Sequence, residues 1–497
     1  MADYSDSAWK TLLGGFGQEG ASLQIQLRQS LVSAIESGRI PVGTRLPATR
    51  RLADLLGISR NTVIAAVRAL TETGYLESRA RSGVYVAGRT LPVASPSSSE
   101  KEGLAWPHPP ALRPSLYRYI EKPSNWSSYP FPFLYGQVDP ELFPTAEWRE
   151  SVRAASSVNE IRRWSSDRID EDDPDLCREL RTRILPARGI WAAEDELMVT
   201  MGAQQALYLI AQLFLSGGRT VGIEDPGYPD MRLIARLFTR AVEYLPVDDQ
   251  GAVPGPGLMR CDAVFLTCSS QCPTTVPMSE TRRRQFLDAA ARSGTVIVED
   301  DYTSDLPGRE SPRALKSMDR TGNVIHVGSL SKMLAPGLRI GYVVGPADIM
   351  TELRALRRLM LRHPPANNQR TMAAFLSLGH YQAYMTRLSA SLSERREACA
   401  AALSQHLPQV TWQQAPGTAG FWLTLPDGIN GTDLVEEARR DGVLIEPGAI
   451  FFADPDAGQR HVRLGVGAIP AQRITEGITR LAAALDRVAR FETRPPD

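Results

Sequence analysis

The sequence predicts a multidomain chain: a small N-terminal winged helix-turn-helix followed by a large α/β body with a mostly parallel sheet. Three observations carry this. Residues 22–88 hold three helical periodicities separated by tight turns, then two short alternating strands. A Pro- and Ser-dense stretch without periodicity comes next, and from about residue 131 apolar strands alternate with helices. At 497 residues the chain exceeds one hydrophobic core, so two or three domains are expected. The composition shifts divide it at 1–90, 91–130 and 131–497.

In the first segment Leu23, Leu27, Leu31 and Ile35 recur at helical spacing, and Gly38 stops the run. In "TRRLADLLG" a second helix puts Leu52, Leu55 and Leu56 on one face. In "SRNTVIAAVRALTETG" Ser59 can cap a third, Val63, Val67 and Leu70 pack inward, and Gly74 ends it. The intervening "GIS" is a tight turn, so the third helix exposes Arg60, Asn61 and Thr62 at its first turn, where a reading helix meets base edges. Two strands then flank Arg79, Arg81 and the turn Ser82–Gly83, a wing able to touch phosphates. The formal net charge of zero argues against a nucleic-acid partner, but it hides an asymmetry. From Arg39 to Arg89 nine arginines face three acids, Asp54, Glu72 and Glu77. A helical domain with a merely solvated basic face does not account for turn, cap, basic first turn and wing in this order. The run "GTRLPATRRLADLLGISRNTVIAAVRALTETGYLESRARSGVYV" resembles the winged helix of GntR-type bacterial regulators. The resemblance implies binding to double-stranded DNA, with Arg50 and Arg60 as contacts and Ser82–Gly83 at the wing tip.

Beyond Val86 the chain reads as a linker, extended where prolines cluster, which would let the head reach a neighbouring subunit on an operator with repeated half-sites. The first ten residues hold no apolar signal core and no later run is long and apolar enough to span a bilayer, so a soluble cytoplasmic protein without a membrane partner is expected. Five cysteines, an odd number without metal-ligand spacing, read as reduced thiols, and no metal is expected.

In the body, strands fit "ELMVT", "TVGIED", "AVFLT", "TVIVED" and "NVIHVG". The residues after each should converge, because ligands of open α/β sheets gather at the carboxyl ends of strands. After the first strand the amides of Gly202, Ala203 and Gln204 open a helix and offer an anion site. Tyr228 supplies a flat ring, Asp300 a carboxylate and Tyr302 a phenol, followed by Ser329, Ser331, Lys332 and Arg339. Lys332 is one of only five lysines among 56 Lys and Arg residues, and an amine, unlike a guanidinium, can form a Schiff base. Together these suit pyridoxal 5′-phosphate, which needs an amine (Lys332), a carboxylate for its ring nitrogen (Asp300), a hydroxyl for its phenolic oxygen (Tyr302) and phosphate donors (Ser329, Arg339 and the amides of Ala203 and Gln204).

The body resembles fold-type I aminotransferases, and the whole chain resembles MocR-type regulators, which join a GntR-like head to such a body. "LFPTAEW", "ARGI", "MGAQQAL", "EDPGY", "VEDDY", "GSLSK", "LAPGLRIGY" and "HVRLG" occur in family order. The resemblance implies that Lys332 is the Schiff-base lysine, that Tyr228 stacks on the pyridine ring and that Arg463 holds the effector's carboxylate or another anionic group such as a sulfonate. It also implies a homodimer, head-to-tail. Two motifs depart from the family: Cys272 stands where the enzymes carry an asparagine on the cofactor's phenolic oxygen, and "DEDDPDLCRELR" lacks the tyrosine and glycine of a phosphate-contact motif. The expected function is a transcriptional regulator that senses an amino acid or amine through an external aldimine, with slow half-transamination allowed. An active aminotransferase with an appended DNA-binding head is the alternative, and a cofactor-free dimerisation scaffold the third.

Overall fold

The computed structural model describes residues 4–13, 22–80, 82–88, 110–302, 313–415 and 417–492. Arg81 of the wing and residues 89–109 of the expected linker lie outside them. The chain divides into two compact units, residues 1–110 and 111–497.

The first unit contains α1 (Asp6–Leu13), α2 (Leu23–Glu36), α3 (Thr49–Leu56), α4 (Arg60–Glu72), β1 (Leu76–Arg79) and β2 (Gly83–Val86). The expected helices and wing are all present. Helix α3 stops where Gly57 turns left-handed at φ 66°, and the Ser59 hydroxyl accepts from the Thr62 amide at 3.1 Å to start α4. β1 and β2 pair antiparallel from Leu76↔Val86 to Arg79↔Gly83. Residues 43–46 extend this ladder, with the Leu46 amide donating to Val84 O at 2.9 Å and the Val86 amide to Thr44 O at 3.0 Å. Two details differ from expectation. Helix α1 was not foreseen, and its buried Trp9 and Leu13 complete the core formed by Leu27, Leu31, Leu52, Val63 and Leu70. Leu23, expected to face inward, is exposed at the first residue of α2.

In the second unit a short β3 (Phe131–Pro132) precedes an eight-stranded sheet. Its strands are β4 (Leu197–Thr200), β5 (Val221–Asp225), β6 (Val242–Asp248), β7 (Gly251–Ala252), β8 (Ala263–Leu266), β9 (Val296–Asp301), β10 (Val324–Ser329) and β11 (Gly341–Val344). They lie in the order β4-β11-β10-β9-β8-β5-β6-β7. The five expected strands are β4, β5, β8, β9 and β10. The core from β10 to β6 is parallel, whereas β11 runs antiparallel to both β10 and β4. Alternation in β9 sends Val298 toward the helix Ala203–Leu215 and Ile297 to the opposite layer beside Phe286. Asp300 therefore emerges on the same face as that helix. A second sheet, β12 (Thr411–Gln413), β13 (Gly420–Thr424), β16 (His461–Gly465) and β15 (Glu446–Pro447), is wholly antiparallel. The remaining strand, β14 (Val443–Leu444), pairs parallel with β3.

Residues 111–130, expected within the linker, instead belong to the second unit. They carry 3-10 turns at Pro114–Leu116 and Trp126–Ser128, and Lys122 anchors them by donating to Tyr135 O. Among the described residues no helix is long and apolar enough to cross a membrane.

Candidate functional site

On the head, Arg50 is exposed in the first turn of α3, and Arg60 and Asn61 are exposed in that of α4. Thr62 is different: half-buried, with its hydroxyl 2.8 Å from Ser59 Oγ, it belongs to the cap. At the wing Ser82 is exposed with its hydroxyl 2.6 Å from Tyr85 Oη. Gly83 has φ +124°, a conformation that L side chains rarely adopt. Arg79 lies over the Tyr85 ring at 4.5 Å and pairs with Glu77 at 2.5 Å, so its charge is partly spent within the wing.

In the body, Ala203, Gln204, Tyr228, Asp300, Tyr302, Ser329, Ser331, Lys332, Arg339 and Arg463 line one cavity of about 380 Å³. At one end Gly202 turns the chain with φ +77° into the helix Ala203–Leu215, leaving its first amides for an anion. Arg339, itself left-handed at φ 52°, donates to Met201 O at 3.1 Å and sets its guanidinium against Gly202. A Cβ on Gly202 would lie 3.1 Å from Arg339 Nη2. A helix N-terminus, an arginine and Ser329 Oγ, which accepts from the Lys332 amide at 3.3 Å, thus share this corner. Ser331 borders the cavity, but its hydroxyl donates to Ile340 O at 3.0 Å and accepts from the Ile340 amide at 2.5 Å. With its one proton spent, Ser331 braces the turn into β11.

Across the cavity Tyr228 Oη lies 2.9 Å from Gln204 Oε1 and 3.1 Å from Asp230 Oδ2, which fixes its ring. Asp300 is buried and its Oδ1 accepts no hydrogen bond. Burial pushes its carboxyl up to about 7 against the pull of Lys332. Tyr302 donates to Ser270 O at 3.2 Å. Lys332 Nζ lies 5.4 Å from the Tyr135 ring and 5.5 Å from the Tyr302 ring. Burial, then the charges of Lys122 and Arg463, lower its ammonium to about 8. Gly136 at φ +75° leaves it room, since a Cβ there would sit 2.6 Å from Nζ.

At the outer end Arg463 is buried, its Nε donating to Glu446 Oε2 at 2.7 Å and its Nη1 to Cys272 Sγ at 3.4 Å. The Tyr135 and Phe451 rings flank the guanidinium at 4.4 and 4.3 Å. The sequence reading missed Tyr135, Gly136, Glu446 and Lys122. Lys122 had the same signal as Lys332, rarity of lysine, but it sat in a stretch that reads as linker. Behind the sheet Glu299, Asp301 and His326 come together. Glu299 Oε2 lies 2.9 Å from His326 Nδ1, and Asp301 takes Arg188 at 2.8 Å.

Residues 23–86 match the family described as bacterial regulatory proteins, gntR family. Residues 172–481 match aminotransferase class I and II. The chain is 41% identical over 468 residues to the HTH-type transcriptional regulator TauR of Rhodobacter capsulatus, covering 93% of this chain and 96% of that one. It is 28% identical over 482 residues to the probable rhizopine catabolism regulatory protein MocR of Rhizobium meliloti, covering 92% and 93%. Among solved structures, the body is similar to Pyrococcus horikoshii kynurenine aminotransferase, with TM-score 0.66 and 27% identity over 71% of this chain and 90% of that one. It is also similar to the α-aminoadipate aminotransferase LysN of Thermus thermophilus, complexed with a phosphopyridoxyl-leucine, with TM-score 0.64 and 27% identity over 72% and 92%.

Pyridoxal phosphate is the cofactor of this body, and the cavity suits it. An anion corner, an orphaned buried carboxylate oxygen on Asp300 and a buried amine with a lowered proton affinity meet the demands of its phosphate, ring nitrogen and aldehyde. The chain therefore belongs to the MocR-type subfamily of GntR regulators, DNA-binding transcriptional regulators that carry an aminotransferase-like, pyridoxal phosphate-dependent body.

Proposed function

We propose that this regulator is a cytoplasmic homodimer whose body cavity senses a small amine or amino acid and passes its presence to the DNA-binding heads. The observation that carries this reading is the convergence of Lys332, Asp300 and Arg463 on one cavity. Bound pyridoxal phosphate supplies an aldehyde with which either a lysine amine or an effector amine can condense. Lys332 holds that position through its amine, and the lowered proton affinity keeps part of it neutral near pH 8. Asp300 holds a proton or a positive ring nitrogen against its orphaned oxygen. Ser329, Arg339 and the amides of Ala203 and Gln204 would hold the phosphate, and Tyr228 and Tyr302, which line the same cavity, would hold the ring. Ser331 acts through the turn that it braces. Arg463 takes the effector's anionic group with its planar fork. On the DNA, Arg60 and Asn61 read bases, and Arg50 and the Ser82–Gly83 tip contact phosphates.

The test is Lys332→Ala in the full chain. The variant should lose the Schiff-base absorbance band and every amine-dependent change in operator affinity while keeping basal DNA binding. An unchanged response to amines in Lys332→Ala contradicts sensing through this lysine. The same three groups also suit slow amine transfer, and keto acid released over many turnovers would favour that second reading.

A further inference from the structure

Beside Arg463, the outer end of the cavity holds two charged groups that the sensing reading does not use, Lys122 and Glu446. Lys122 and Arg463 both line the cavity. Glu446, 1% exposed, stands directly across from Arg463 in the β15–β16 register and reaches both cations. Its Oε2 accepts from Arg463 Nε at 2.7 Å, and its Oε1 lies 3.3 Å from Lys122 Nζ. Lys122 spends one proton on Tyr135 O, and the other two of its ammonium make no hydrogen bond to Glu446 Oε1, which accepts none, so they remain for a ligand. Arg463 keeps Nη2 beyond its bonds to Glu446 and Cys272. With Lys332 set aside, since the cofactor aldehyde would engage its amine in the loaded chain, two positive charges share one carboxylate and one is left over beside the Tyr135 and Phe451 rings. An uncompensated charge in such surroundings is costly, and a ligand with one negative group at this end balances it. A second acid group in the ligand leaves the opposite imbalance.

Resting on the sensing reading, we propose that Lys122 is a direct effector contact that, with Arg463, clasps the single anionic group of a small amine. Glu446 sets the surplus at one charge and aims both cations, so the effector class is amines with one acid group, not two. Lys122 belongs to residues 111–130, which join the head to the rest of the body in sequence, so the contact also pins the segment that leads to the head.

The experiment uses the full chain loaded with pyridoxal phosphate and follows its visible absorbance during titration with five probes. Glycine, β-alanine and 4-aminobutyrate carry one acid group; L-aspartate and L-glutamate carry two. At least one of the first three should shift the wild-type spectrum, and the last two should not. Lys122→Gln should need roughly tenfold more of the active probe, the scale of one lost charge-assisted hydrogen bond, and Lys122→Arg should restore most of the response. Glu446→Gln, with a larger positive surplus, should begin to respond to L-aspartate or L-glutamate. Equal titrations for wild type and Lys122→Gln, or a two-acid amine acting on the wild type as strongly as a one-acid amine, overturn the proposal while sensing survives. A loaded wild-type spectrum unmoved by all three one-acid probes also overturns this proposal, whereas the sensing reading stands or falls on the Lys332→Ala comparison.

Discussion

Lys332 sits where burial and two neighbouring cations make a neutral amine available at ordinary pH. Since its ammonium titrates at about 8, the neutral fraction grows as pH rises toward that value and then levels. The rate of cofactor loading, followed by absorbance, should rise about tenfold from pH 6 to 7 and flatten above about 8. Lys122→Gln removes one of the depressing charges and should move the inflection upward. Asp300 works in the other sense: burial raises its carboxyl to about 7 in the cofactor-free chain. A raised acid contributes stability that is present below its unfolded value and lost as pH climbs through the folded one. Asp300→Asn should therefore leave the thermal midpoint of the cofactor-free protein unchanged below pH 4 and raise it increasingly between pH 4 and 8. The same variant should bind pyridoxal phosphate more weakly. Lys332 and Asp300 were legible in the sequence because chemistry restricts them to particular residue types at strand ends. The bonds of Ser331 to Ile340, nine residues away, were not legible, because a backbone partner that distant leaves no local signal.

Among the elements, α4 shows how local signals fix a functional surface. The Ser59 cap sets the first turn, and this places Arg60 and Asn61 outward and Thr62 against the cap. Arg60→Ala should weaken specific operator binding by about 1–3 kcal/mol, read by footprinting, if the arginine meets a base edge. Ser59→Ala should instead cost about 1 kcal/mol of head stability. The parallel strands were readable as short apolar runs bounded by polar residues, since both faces are covered by helices. Strand β11 and the second sheet were not, because antiparallel pairing of short strands depends on partners distant in sequence. Helix α1 escaped because its eight residues gain their place from Trp9 and Leu13 packing on α2 and α3, not from a periodicity of their own.

For the molecule as a whole, two chemistries share one chain: a head that contacts DNA and a body whose cavity is lined by a buried amine, a buried acid and a buried arginine. The border between them was legible only as a change of composition. The proline-rich segment reads as linker throughout, yet its last twenty residues dock on the body through Lys122. The central claim is that occupancy of the body cavity changes what the head does, and linkage makes this an affinity difference between two states. The most direct measurement is the operator dissociation constant of the full-length, cofactor-loaded chain with and without the amine that shifts its spectrum, in wild type and Lys332→Ala. The account predicts a change of at least about fivefold in the wild type and none in the variant. Identical operator affinity with and without the bound amine would contradict it.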